Sequence, residues 1–373
     1  MKMKKRLLYN GNKALILAAM LFFTAGMYAQ TYERSKHINK SYHINNTTEI
    51  QISNKYGNVH IVTWEKDSVK FEIDVLVRAN KQAKVDKIYD YIDFEFTGNE
   101  YYVIAKTLFQ NDRKSVWSEL SDIAKTLFSS DNKAQIDYKV YVPSKNPIKI
   151  TNKFGNIYTT EHENDIEINL SNGDLKAHAF NGKSKIEIEF GNANVKHIAD
   201  AVLEINYAQF SADEADKISL KSKSSEIRIE HLNELDLNSR RDKLYLNTVG
   251  KINGEASFSY FYIQNLIELI VVTTSYGEIN IENFLPEFQL MGINSNYTDY
   301  NLSFPDDLYI DLEINHDSRT IIDYPSTFKN FKKKVKNTEE ETYITYGFIG
   351  EQIGEPARID IDTKSGKIIM HQY

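Results

Sequence analysis

The chain has no cysteine among its 373 residues. That excludes a disulfide framework, a thiolate metal site, a cysteine nucleophile and a lipid-modified cysteine. Its nine histidines stand singly, none two or four residues from another, so no pair sits on one strand or helix face as metal ligands would. No Gly-x-Ser-x-Gly elbow and no Gly-x-x-x-x-Gly-Lys-Ser/Thr loop occurs. Asp360-Ile361-Asp362 has carboxylates two apart but no glycine-bearing loop of a calcium hand, and a strand places both in solvent. No cofactor and no metal site is expected. Long apolar runs are missing beyond the first thirty residues: the greasiest stretch, 266–272, carries Glu268 and has the length of a buried strand.

The N-terminus is different. Lys2, Lys4, Lys5, Arg6 and Lys13 precede an apolar run over 14–23 that ends in Thr-Ala-Gly-Met-Tyr-Ala-Gln. A charged head, a short apolar stretch and small exit residues make residues 1–29 a secretory signal peptide, with a retained membrane anchor as the alternative. After its removal the net charge moves from −7 to −12, with 40 basic against 52 acidic groups, and no membrane span remains. Such an excess of acid lacks the basic stripe that nucleic-acid binding needs. The expected location is the periplasm or the cell surface.

What is abundant is a turn. Asn152-Lys153-Phe154-Gly155-Asn156-Ile157 returns as Asn54-Lys55-Tyr56-Gly57-Asn58-Val59, and more loosely around Gly173, Gly191, Gly277 and Gly366. Strand-like alternation flanks each copy, as in Ile186-Glu187-Ile188-Glu189. First runs centre on Ile157, Leu175, Ala193, Phe210, Ile227, Leu244, Tyr262, Ile279, Tyr300 and Ile321, mostly 17 or 18 residues apart. A period of that length with two strands and two turns predicts an all-β chain folded as a parallel β-solenoid, or β-helix, with two short strands per coil. An antiparallel meander would not bring the same turn back once per two strands. The six glycines are expected at positive φ. Ala208, Ser225 and Asp242 stand near their place mid-array, where the turn should differ.

Residues 80–133 break the rhythm. Val85, Ile88, Tyr89 and Ile92 follow helical spacing, and Val116, Leu120, Ile123 and Leu127 form a second apolar helix face. The segmentation is therefore a signal peptide at 1–29, a coil or cap with a helix-containing insertion at 30–134, solenoid repeats at 135–325, and closing strands at 326–373. The last segment carries five lysines between 328 and 336 and looks like a final hairpin or coil that closes the array.

With its Asn-x-x-Gly-x-Ile turns, the Tyr-x-Val-x-Val-Pro entry at 138–143 and the closing Ser-Gly-x-Ile strand, the chain resembles the bacterial putative-adhesin family of exported β-solenoids, related to the head domains called GIN. The resemblance covers about 45–78 and 135–373, and the Ala-Gln exit is similar to exported proteins of Bacteroidota. It implies a repetitive exported scaffold and carries over no catalytic residues.

Three readings follow. The first is a non-catalytic scaffold of the cell envelope that binds a protein or polysaccharide; its candidate strip is the aromatic before each turn: Tyr56, Phe154, Phe190, Tyr207, Tyr276 and Tyr297, with Phe258, Tyr260, Phe261 and Tyr262 nearby. The second is a polysaccharide lyase or glycosidase using Arg240-Arg241-Asp242, Asp306, Asp307 and Asp317, of which the Arg-Arg-Asp turn otherwise reads as a surface ion pair. The third is an envelope sensor whose insertion meets a membrane partner.

Overall fold

The computed structural model describes residues 31–109, 133–328, 330–351 and 354–373. The leader and the helix expected over Val116–Leu127 lie outside the described residues. Two compact units result, one drawn from Met1–Lys36, Leu76–Ile92 and Phe109–Ala134, the other from His37–Val75, Asp93–Leu108 and Gln135–Tyr373.

In the smaller unit one helix, Gln82–Tyr91, buries Val85 and Ile88. Arg34 anchors its outer face, 3.3 Å from Asp86 and 3.4 Å from Asp90, with the guanidinium 3.8 Å above the Tyr89 ring. Ile92, expected on the same helix, begins a strand instead.

The larger unit is a parallel β-solenoid. Alternation sets its faces: in Ile166–Ser171 the three aliphatics are buried and Glu167, Asn169 and Ser171 lie between them toward solvent. From Leu175–Glu189 to Tyr260–Ser275 each strand runs along one sheet, bends, and continues along the other. Each pairs in parallel with the next, as in Ile186↔Leu203, Phe210↔Ile227 and Ile227↔Leu244. One core column passes through Ile157, Leu175, Ala193, Phe210, Ile227, Leu244, Phe261, Ile279 and Tyr300, every member buried. Phe261, rather than Tyr262, is the in-register residue. Because strands alternate, a one-residue slip exchanges the faces, and Tyr262 points outward.

The order of coils in space departs from the order in the chain at both ends. Glu49–Lys55 pairs with Tyr102–Phe109 on one side and Ile148–Lys153 on the other, and Val59–Thr63 lies between Lys133–Val142 and Ile157–Thr159. The coil that comes first in sequence is thus second in space. At the far end Ala357–Lys364 lies between Leu290–Asn296 and Ile310–Asp317, and Lys367–Gln372 lies between Asp299–Phe304 and Ile321–Asp323. The C-terminal strands form a coil but do not close the array; the coil of 310–323 lies beyond them. Antiparallel pairing occurs at this end, where Thr342–Ile349 joins Ile310–Asp317 to the lysine-rich Lys332–Asn337. Its exposed lysines discourage further strand addition there.

Candidate functional site

Eleven corners of the solenoid are turned through a residue in the left-handed region. Tyr56, Phe154, Asn172, Phe190, Tyr207, Ser224, Arg241, Phe258, Tyr276, Tyr297 and Ser365 all have φ between 51° and 69°. Six of them stand just before the expected glycines, and the other five before Ala208, Ser225, Asp242, Ser259 and Thr298. Positive φ therefore belongs to the residue that precedes Gly57, Gly155, Gly173, Gly191 and Gly277, while Gly366 also has positive φ, at 143°.

Glycine has another reason to be there. A Cβ on Gly155 would lie 1.9 Å from the carbonyl oxygen of Gly57 in the adjoining coil. That oxygen is occupied, accepting a hydrogen bond from buried Asn152 Nδ2 at 3.0 Å. The residue after Gly57, Gly155, Gly173 and Gly191 turns its N–H to a side chain instead: Asn58 donates to Asp137 Oδ1, Asn156 to Asn58 Oδ1, Asp174 to Asn156 Oδ1 and Asn192 to Asp174 Oδ1, at 2.8–3.0 Å. The Asn that follows Gly in the motif is thus a rung of a hydrogen-bond ladder.

Mid-array the corner is built differently. Glu226 donates to Ala208 O, Lys243 to Ser225 O and Tyr260 to Asp242 O, so backbone carbonyls replace the side chains. The inner surface is then polar. Buried Asp242 accepts from Ser222 Oγ and Ser239 Oγ at 2.7 Å, from Ser225 N at 2.8 Å and from Arg240 N at 2.9 Å. Asp242 is accordingly an internal corner anchor, not half of a surface ion pair with Arg240 or Arg241. Asp317 is similar, accepting from Thr320 Oγ1 at 2.8 Å, from Ser365 N at 3.1 Å and from Arg319. Burial works to raise its pKa, but those donors outweigh it and hold the carboxyl well below its usual range. Asp306 and Asp307 sit on the turn between Asp299–Phe304 and Ile310–Asp317, and Asp360 pairs with Arg358 at 2.7 Å. Among the described residues no three acidic or histidine side chains cluster as a metal site would. His162 is fully buried with neither ring nitrogen hydrogen-bonded, and burial pushes its pKa down to about 4.

Outside the corners the aromatic side chains form a ladder. Tyr56 stacks on Phe154 at 5.5 Å, Phe190 on Tyr207 at 5.3 Å, Phe258 on Tyr276 at 5.0 Å and Tyr276 on Tyr297 at 4.9 Å, with ring planes within 16°. All but Tyr56 are 44–53% exposed. The row includes Phe258, which the 17-residue step from Arg241 could have disclosed but the run centred on Tyr262 instead of Phe261 displaced by one residue. Of its neighbours, Phe261 is core, and Tyr260 and Tyr262 pack beside Tyr245 on the outer face.

The ladder is interrupted by Asn172 between Phe154 and Phe190, and again further along the array. Ser224 and Arg241 occupy the two positions between Tyr207 and Phe258. There the surface holds a depression of about 710 Å³. The ammonium of Lys223 lies 5.4 Å from the Tyr207 ring and the guanidinium of Arg241 5.9 Å from the Phe258 ring, so a cation covers the ring at each side of the break.

No protein-family model matches the chain, and no curated protein does. Among solved structures it is similar to a putative cell adhesion protein from Clostridium sporogenes, at 8% identity and TM-score 0.19 over 91% of this chain and 100% of that one. It is also similar to a putative lipid binding protein from Parabacteroides distasonis, at 15% identity and TM-score 0.33 over 71% of this chain and 96% of that one. A putative adhesin from Bacteroides fragilis matches at 16% identity and TM-score 0.27 over 71% and 97%. Values this low carry no argument from those proteins to the activity of this one.

Proposed function

We propose that the protein is an exported, non-catalytic scaffold of the bacterial cell envelope whose outward aromatic ladder is its binding strip. The observation that carries this reading is the placing of large rings at strained backbone positions. A non-glycine residue in the left-handed region costs on the order of 1 kcal/mol, and the residues that tolerate it best are Asn and Asp. Seven of the eleven corners nevertheless hold Phe or Tyr, and six of those rings are about half exposed. Stacking returns only ~0.5–1.5 kcal/mol per pair, whereas a row of half-bare rings at the strand spacing of about 4.8 Å suits an extended polysaccharide or peptide. The carboxylates that an enzyme would need at this corner are turned inward and engaged by hydroxyls and N–H groups, as at Asp242. The leader-like N-terminus supports export.

The test is affinity electrophoresis of the purified chain against acidic and neutral polysaccharides, with product release followed in parallel. Retention without turnover is expected, and it should weaken in a Tyr276→Ser, Phe258→Ser double variant that keeps the wild-type circular dichroism. Turnover abolished by Asp307→Ala would overturn the reading. Protease protection on intact cells then separates surface exposure from periplasmic retention.

A further inference from the structure

We infer that the break in the ladder at Ser224 is a subsite for one anionic sugar ring, a uronate unit of an acidic polysaccharide. The inference rests on the reading of the ladder as a binding strip and specifies its ligand. Neighbouring rungs place ring centroids about 5 Å apart, as Phe190–Tyr207 and Phe258–Tyr276 do. At Ser224 the rung is a hydroxymethyl group with the same backbone, φ 51° against 52° at Tyr207. The strand spacing makes the distance from the Tyr207 level to the Arg241 level about 9.6 Å, two steps. A pyranose ring at the Ser224 level would therefore lie one rung from Tyr207, beside the Lys223 ammonium that covers that ring.

Charge selects the kind of ring. The chain as a whole is acidic, at −7, yet the break gathers Lys223, Arg241 and Lys243. No ion pair engages any of the three among the described residues, whereas the acid beside them, Glu226, is held by Arg228 at 2.9 Å. Some other lysines of the solenoid are paired along or across coils, as Lys217 with Glu234 at 2.6 Å and Lys221 with Glu204 at 3.1 Å. The cations at the break thus stand without the carboxylates that neutralise their counterparts. Lys223, next to Ser224 in the chain, lies over Tyr207, and Arg241, one level further on, lies beside Phe258. A carboxylate carried by a ring between them would accept from both, and Arg241 offers the planar fork that suits it.

Titration calorimetry of the purified chain tests this with three probes: oligogalacturonate, a neutral cello-oligosaccharide and polyglutamate. Oligogalacturonate should bind roughly tenfold or more tightly than either control, and added salt should weaken it. Ser224→Tyr fills the break with a side chain that the same backbone already accepts at Tyr207, Tyr276 and Tyr297. It should lower that affinity roughly tenfold with the melting temperature unchanged or raised, and Arg241→Gln should lower it without filling the space. Unchanged oligogalacturonate binding in Ser224→Tyr overturns the proposal. Equal binding of polyglutamate also overturns it and points to an acidic peptide held by charge alone. If the neutral oligosaccharide binds as well and the Tyr276→Ser, Phe258→Ser variant loses it, the subsite falls while the ladder reading stands. Binding of none of the three overturns both.

Discussion

The corners at Gly57, Gly155, Gly173 and Gly191 and the corners at Ser225, Asp242 and Ser259 make the same turn by opposite means. The first group lets backbones approach until a side chain has no room, and satisfies the displaced N–H groups with an Asn/Asp ladder outside. The second keeps its side chains, points them inward, and joins them through hydroxyls: Ser239 to both Asp242 and Ser259, Ser225 to the carbonyl of Ile205. Interior residues follow suit. Asn152, Leu170 and Ile188 stand two positions before the left-handed residue in the glycine group, and Ser222 and Ser239 do so in the polar group. What repeats is therefore a backbone requirement, one left-handed residue at each of these corners, and the glycine motif is one of two chemistries that meet it.

Substitutions can break this comparison. The largest effect is expected for Gly155→Val, whose Cβ would meet the backbone oxygen of Gly57; soluble expression or the cooperative melting transition should be lost. Gly277→Ala, 2.6 Å from Ser259 O and next to coils that carry Ser259 and Thr298 at this place, should be milder, and equal losses at the two sites would dissolve the distinction. Next comes Asp242→Ala, which strands two hydroxyls and two N–H groups in a buried corner and should cost about 3 kcal/mol in denaturant unfolding.

His162 gives a pH-dependent test in the glycine half. Its folded pKa of about 4 lies below the ordinary 6.5, so the unfolded chain takes up the proton first. Stability is then lost as pH falls from 6.5 toward 4 and levels below it, by about 3 kcal/mol. His162→Leu should lack that component, and an unchanged difference between variant and wild type across this window would contradict it. The smallest effect is expected for Tyr276→Ser, which removes stacking with Phe258 and Tyr297 and should cost toward the low end of the ~1–3 kcal/mol that two stacked pairs return, read in thermal unfolding, while affecting binding strongly.

The candidate site was half legible. Tyr207, Tyr276 and Tyr297 are found by spacing because a periodic backbone carries periodic side chains. Phe258 was missed because a run centred on Tyr262, one residue past the in-register Phe261, puts Ser259 in its place. The break at Ser224 was invisible for a different reason: a serine and an arginine in a turn carry no signal until the rings above and below them are placed. Asp242 and Asp317 misled because a carboxylate in a polar turn has the same letters whether it faces water or a pocket of hydroxyls.

Alternation and a 17- or 18-residue period suffice for the solenoid itself, since both are local consequences of side chains alternating across a strand and of each coil burying its apolar face on the next. The stacking order at the ends is not local. Any coil with an apolar inner face and two open edges can pair with any other, and the repeat alone favours chain order. Chain order fails twice, with Val59 paired between Tyr138 and Ile157, and Ile368 between Tyr300 and Ile322. Those choices depend on contacts between residues far apart in the chain, such as Asn156 N with Asn58 Oδ1, 98 positions apart, and on shape complementarity that exists only once the coils are folded.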